Sequence, residues 1–282
     1  MLERFLVPKE DQILIESESM TQATKQIFLK MGLSEDDAQL SSEVLMTSDL
    51  RGCESHGVSN MLPIYVDLST KIIMNIAGTD IKEYVEILEL MENHSSNITG
   101  YEINISCPNV KKGGMEFGVD CDMTAKLTEE LRRITDRLII MKLSPNVSDI
   151  VSIGKASQDA GADAVSAINT VVGMSINAKK GISNIYTTYG GLSGPAIKPI
   201  GLAAVNKLYK ELSVPIIGMG GIVSSTDVAE YILAGSSSVQ VGTANFRNPG
   251  TGQDLIDMIN AYVGESDWKT LVEMIGKVKT YN

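Results

Sequence analysis

From residue 72 onward the chain is a succession of short apolar runs, each closing on small or polar residues and each followed by a stretch with helical spacing. The runs are IIMNIAG (72–78), YEINISCPN (101–109), LIIMKLSPN (138–146), AVSAINT (164–170), VPIIGMGG (214–221) and SVQVGTA (238–244). Near-continuous apolar runs of this kind suit strands covered on both faces, as in a parallel sheet. Between them the spacing predicts helices over about 80–92, 119–136, 148–160, 198–212 and 225–234, with Asp149, Thr226 and neighbouring small polar residues as start signals and Gly161 and Gly235 as stops. Helices near 251–263 and 266–278 close the chain. The alternation predicts right-handed βαβ units, hence an α/β fold. Residues Val171 to Pro199 are predicted irregular, and connections of that length in a compact domain are usually lids or binding loops.

The first 69 residues have a different texture. QILIE (12–16) predicts a short strand, and Ser19 caps a predicted helix carrying Ala23, Ile27 and Leu29 towards Gly32. Ser34 with Asp37 reads as a capping box for a second helix, whose apolar face carries Ala38, Leu40, Val44 and Leu45 and which ends near Arg51-Gly52. The expected organisation is a mainly helical segment over 1–69 and a β/α body over 70–282.

Composition narrows the function classes. With 282 residues, 43% hydrophobic and 21% charged, the chain can bury one large core or two modest ones. Its 24 basic and 35 acidic residues give a net charge of −11, which argues against nucleic acid or an anionic membrane as the main partner. A local pocket for a single phosphate stays compatible with that charge. No stretch approaches the ~20 apolar residues that span a bilayer, and MLERFLVPKEDQ lacks the apolar core of a signal peptide, so a cytoplasmic location is expected. Cys53, Cys107 and Cys121 are odd in number and lack CxxC spacing, which indicates neither a disulfide framework nor a zinc site; no metal is expected.

In a parallel β/α barrel the site lies at the carboxyl ends of the strands. The polar residues there are Asn75, Asn104, Cys107, Asn109, Lys142, Asn169 and Thr170. Such residues also form plain strand-end turns, but a ring of amides with one Lys and one Cys favours a site. The last two runs end in Gly220-Gly221 and Gly242-Thr243, where backbone N–H groups can approach an anion; simple turn chemistry is the other reading. Cys107 sits in a Cys-Pro loop, and a free thiol with a pKa of about 8.5 needs only a small downward shift to exchange protons near neutrality.

The motifs NISCPNVKKGGMEFG, MKLSPNVSDI, INTVVGM, GGLSGPAIKP, IIGMGGI and VGTANF, in this order, resemble the dihydroorotate dehydrogenases of the soluble, cysteine-using class over about residues 71–263. The continuation VKKGGMEFG resembles the type whose catalytic chain pairs with an iron–sulfur flavoprotein electron-transfer subunit and passes electrons to NAD. The resemblance implies a TIM-type barrel with FMN, its phosphate on Gly220, Gly221, Gly242 and Thr243, and Asn75, Asn104, Lys142 and Gly194 along the cofactor. It further implies dihydroorotate as the small-molecule substrate, met by Asn104, Asn109, Asn169 and Thr170, with Cys107 as the catalytic proton acceptor. A fixed Lys142 suits the negative charge that builds near N1 of a reduced flavin.

A barrel of this kind has eight strands, and the runs supply six. By the resemblance the first two strand-helix units are the missing ones. The uncovered sheet edges invite pairing with other chains, so an oligomer is expected. Residues 12–68 resemble instead the amino-terminal segment of the non-Rossmann malate/L-lactate dehydrogenases, through SDLRGCESHGVSNMLPIYVDL (48–68). That resemblance implies His56 as an acid/base residue with Ser55 and Arg51 beside it, and gives the chain a chimeric pattern joined near 69–71. The alternatives to dihydroorotate oxidation are therefore a non-catalytic flavin- or phosphate-binding chain and an NAD-dependent malate/lactate-type 2-hydroxyacid dehydrogenase.

Overall fold

The computed structural model describes residues 16–50, 71–94, 98–105 and 117–279. Two compact units divide at Thr70/Lys71. The first holds α1 (Ser17–Lys30) and α2 (Glu35–Leu50), packed on each other. Glu16, not Ser19, precedes the first helical residue, and Ser19 lies within α1. The apolar face also differs from the expected one: Thr24 and Phe28 are the buried positions, while Ile27 is exposed. Phe28 meets Ala38, Leu45 and Met46 in a small core flanked by Met20, Leu29, Met31 and Leu33. Ser34 caps α2 as expected, its hydroxyl accepting from the Asp37 N–H and donating to the Asp37 carboxylate. Of QILIE only Glu16 falls among the described residues.

The second unit is a parallel α/β half-barrel. Its strands are β1 (Ile72–Ile76), β2 (Ile98–Asn104), β3 (Leu138–Leu143), β4 (Ala164–Ala167), β9 (Ile216–Met219) and β10 (Ser238–Gln240), hydrogen-bonded in that order. The helices between them are α3 (Ile81–His94), α4 (Cys121–Arg132), α5 (Ile150–Asp159), α6 (Lys198–Glu211) and α7 (Ser225–Ala234), each packed on the next. All adjacent strands run parallel. Among the described residues β1 and β10 are the sheet's edges, so six strands of an eight-strand plan are in place and the sheet stays open.

Side chains alternate across each strand. Tyr101, Ile103, Ile139, Met141, Val165 and Ile216 are buried on the helix side, where Tyr84, Leu88, Leu127, Leu131, Val205, Leu208 and Tyr231 are also buried. Gly218 is on this side too, for a Cβ there would run into Tyr231 and Ser236. Helix ends follow local chemistry. The Asp149 carboxylate accepts from the Ser152 hydroxyl and from the Ser152 and Val151 N–H groups, which together hold its pKa below the usual value. α7 is capped by Ser224, a small polar neighbour of Thr226 two positions before it, in a capping box with Asp227, and ends on Gly235 at φ 126°.

Two expectations are corrected. The 171–199 stretch is not irregular: β5 (Val171–Met174) pairs antiparallel with β8 (Tyr189–Leu192), and β6 (Ile176–Asn177) with β7 (Ile182–Ser183). Strands this short, three of their positions being glycine, leave no alternation long enough to read. At the C-terminus α8 (Thr251–Glu265) forms as expected, but the helix over 266–278 shrinks to α9 (Leu271–Met274). Gly276, at φ 68°, turns the chain out of helical geometry there.

Candidate functional site

The residues that meet at the carboxyl ends of β1 to β4 lie on the inner, concave side of the sheet. Parallel register sets Asn75 beside Glu102, Asn104 beside Lys142, and Lys142 beside Ser166. The Glu102 carboxylate is only 2% exposed and gathers this group. Its Oε2 accepts from Asn75 Nδ2 at 2.5 Å and from Lys142 Nζ at 3.2 Å, and its Oε1 accepts from Ser166 Oγ at 2.7 Å. Ion pair and neutral hydrogen bonds together compensate the loss of water around the carboxylate.

Two to three residues further along β2 and β4 a second network forms. Asn169 Nδ2 donates to Asn104 Oδ1 at 3.0 Å, and Asn169 Oδ1 accepts the Thr170 N–H at 2.8 Å. The Tyr84 hydroxyl donates to the Asn104 carbonyl at 2.7 Å, tying the end of β2 to α3. Asn146, after β3, donates to the Thr170 carbonyl and accepts from the Val172 N–H, which fixes the start of the β5–β8 hairpin to the rim. Asn75, Asn104, Lys142, Asn169 and Thr170 are thus brought together as expected. Glu102, Ser166 and Asn146 were not among the expected residues. The available signal was a single Glu inside the apolar run YEINIS, in a sheet whose next strand carries a Lys near its end.

The glycines form a separate cluster. Gly194, Gly220 and Gly221 have φ of 87°, 118° and 76°, a range that side chains with a Cβ rarely adopt. A Cβ on Gly221 would lie 2.8 Å from the Gly194 carbonyl oxygen and 3.0 Å from Lys198 Cβ, so the chain after β9 and the chain before α6 touch backbone to backbone. Gly242 and Thr243 follow β10, the strand paired with β9, and open a short 3₁₀ turn (Thr243–Phe246). Gln240, on β10, has a buried side-chain Oε1 with no hydrogen-bond partner among the described residues.

Beneath the cradle, Lys198 Nζ holds Asp227 at 2.5 Å and Glu230 at 2.6 Å, joining the starts of α6 and α7. Burial pushes the Asp227 carboxyl up, but Lys198, the Val223 N–H and the Ser224 hydroxyl outweigh it and hold the pKa below the usual carboxylate value. The same carboxylates raise Lys198 above the ordinary lysine range.

Chemically the site offers an ammonium and several amide donors over a concave floor, beside a cluster of glycine-bearing loops. That set fits a planar, hydrogen-bonding ring system carrying a phosphate. Cys107 and Asn109, and likewise Arg51, Ser55 and His56, lie outside the described residues. Cys121 begins α4, and burial together with Asp120, Asp122 and Asp149 raises its thiol pKa, which suits an inert thiol. Among the described residues no His/Cys/Asp/Glu group is arranged to hold a metal, and no helix is long and apolar enough to cross a membrane.

The family model for dihydroorotate dehydrogenase matches residues 48–263. The dihydroorotate dehydrogenase B (NAD(+)) catalytic subunit of Desulforamulus reducens is 44% identical over 229 residues, covering 80% of this chain and 75% of that protein. The subunits of the same name from Porphyromonas gingivalis and Bacillus pumilus are 43% and 42% identical, over 78% of this chain and 72% and 71% of theirs. The matched stretch begins inside the motif at 48–68, and neither the family model nor these relatives shows the malate/L-lactate dehydrogenase resemblance of residues 12–68. With three quarters of the matched family spanned and the strand-end residues gathered on one face, the chain belongs to the dihydroorotate dehydrogenase family.

Proposed function

We propose that this chain oxidises (S)-dihydroorotate to orotate with bound FMN, as a step of pyrimidine biosynthesis in the cytoplasm. The observation that carries the reading is the convergence of Asn75, Asn104, Lys142 and Asn169 on one concave face, next to the Gly194/Gly220/Gly221 cluster. The residues fit the cofactor on two counts. Gly221 leaves a backbone surface that a Cβ would fill, and the donor set of amides and one ammonium matches the acceptor-rich edge of a flavin.

In this reading Gly220, Gly221, Gly242 and Thr243 present backbone N–H groups to the phosphate, with Gly194 closing the loop cluster. Asn75, Asn104 and Lys142 orient the ring system, and the Lys142 ammonium favours negative charge arriving at that edge. Bound FMN supplies the two-electron acceptor. Asn104, Asn109, Asn169 and Thr170 hold the substrate's amide and carboxylate groups, and the Asn104–Asn169 bond fixes the amide orientations before substrate arrives. Cys107 takes the substrate proton as general base.

The relatives' description as catalytic subunits of an NAD(+)-linked enzyme supports a partner for this chain too: an iron–sulfur flavoprotein subunit that removes the electrons. The exposed apolar side chains Val172, Met174, Ile176 and Tyr189 of the hairpin support assembly with other chains. The deciding experiment is the visible spectrum of the purified, FMN-loaded protein before and after anaerobic dihydroorotate. The proposal expects a yellow protein that bleaches. A colourless protein that takes up no FMN refutes cofactor and reaction together, and a yellow one that never bleaches refutes the reaction.

A further inference from the structure

Glu102 sits where a strand facing a barrel interior has no structural use for a charge. Replacing a buried ion pair by apolar side chains of similar volume is often neutral or stabilising, so the fold alone gives no reason for a carboxylate there. Its three donors come from three other strands: Asn75 on β1, Lys142 on β3 and Ser166 on β4. Two of them, Asn75 and Lys142, are the residues assigned above to the cofactor's ring. A carboxylate only accepts hydrogen bonds, so it anchors both of these donors from one point. The Lys142 side chain keeps 14% of its surface exposed against 3% for Glu102, so the carboxylate lies deeper in the trough and the ammonium nearer its opening.

We infer that Glu102 is a positioning residue for Lys142 whose own charge also reaches the cofactor: it holds the ammonium from beneath and offsets part of its positive charge, which lowers the reduction potential of the bound flavin. The inference rests on the proposed FMN site. Its signature is a pair of opposite shifts. Removing the negative charge takes away the share of compensation that Glu102 gives Lys142 and favours the reduced, more negative cofactor; removing the positive charge does the reverse.

The test is the midpoint potential of the FMN-loaded protein, measured by equilibration with a reference dye, for wild type, Glu102→Gln, Glu102→Asp, Lys142→Met and the double variant Glu102→Gln/Lys142→Met. Glu102→Gln is expected to shift the reduced-to-oxidised ratio at a fixed ambient potential by about tenfold towards reduced, which for a two-electron couple is about 30 mV. Lys142→Met shifts it towards oxidised. Glu102→Asp, which keeps the charge, stays close to wild type, and so does the double variant, which loses one charge of each sign. Should Glu102→Gln alone not fold, the difference between Lys142→Met and the double variant isolates the same charge. Unchanged or lowered potential on loss of the Glu102 charge, with FMN still bound, overturns the inference and leaves the proposed function standing. A wild-type protein that binds no FMN overturns both.

Discussion

Adding one methyl group at each of three glycines separates the contributions to the proposed phosphate cradle. At Gly242 φ is −108° and no atom lies within 4 Å of a new Cβ, so Gly242→Ala meets neither a left-handed backbone nor a clash. At Gly194 the space is open but φ is 87°, so Gly194→Ala carries the backbone cost alone, about 1–2 kcal/mol. At Gly221, φ is 76° and the Cβ would meet the Gly194 carbonyl oxygen at 2.8 Å and the Lys198 backbone nitrogen at 3.1 Å. Backbone atoms cannot swing aside as a side-chain tip can, so an overpacking cost of about 1–3 kcal/mol adds to the strain. The expected loss is then roughly 2–5 kcal/mol for Gly221→Ala. The assay is the urea midpoint at which the FMN-loaded protein releases its flavin, followed by flavin fluorescence, together with an FMN titration at zero urea. The predicted order of damage is Gly221, then Gly194, with Gly242 close to wild type. An FMN affinity lowered about tenfold or more should accompany the Gly221 variant, since each 1.4 kcal/mol reaching the binding step is a factor of ten. Three indistinguishable variants, or a Gly242→Ala more damaging than Gly221→Ala, would refute the steric reasoning.

Cys107→Ala should leave the flavin colour intact and slow anaerobic bleaching by dihydroorotate about 10²-fold or more, read by rapid-mixing absorbance. Asn169→Ala removes the partner of Asn104 and of the Thr170 N–H, so the KM for dihydroorotate should rise about tenfold with FMN retained, read by steady-state kinetics at saturating acceptor. The depressed Asp227 pKa makes the unit less stable in acid. That contribution is fully present above the unfolded carboxylate value of about 4 and is lost as pH falls through the lower folded value. Urea unfolding at pH 7 and pH 3 should therefore show a fall that Asp227→Asn flattens. The raised Lys198 pKa contributes stability that is complete below the unfolded lysine value and is lost only as pH rises through the folded one.

The parts of the fold that were legible are those whose physics is local in the chain. Strands buried on both faces need unbroken apolar runs, so β2, β3 and β9 announced themselves, and Asp149 marked the start of α5 because its carboxylate answers N–H groups two and three residues on. The glycine pairs were legible only as features of two consecutive strand ends, since simple turns use the same residues. Glu102 was not legible, since its partners lie 27, 40 and 64 positions away in sequence and only the parallel register brings them to one point. The β5–β8 hairpin escaped for another reason: Gly173, Gly190 and Gly191 erase the alternation that identifies a half-buried strand. The strand-end amides were placed by position, whereas the Asn104–Asn169 bond that orients two of them follows from the register of β2 and β4 across β3.

The central claim is that this open, six-stranded half-barrel holds a working dihydroorotate site. It is tested most directly by a single anaerobic turnover without NAD or any partner subunit, counting orotate formed against flavin bleached. The account predicts one orotate for each FMN reduced. Flavin that remains oxidised in excess dihydroorotate, with no orotate released, would contradict it.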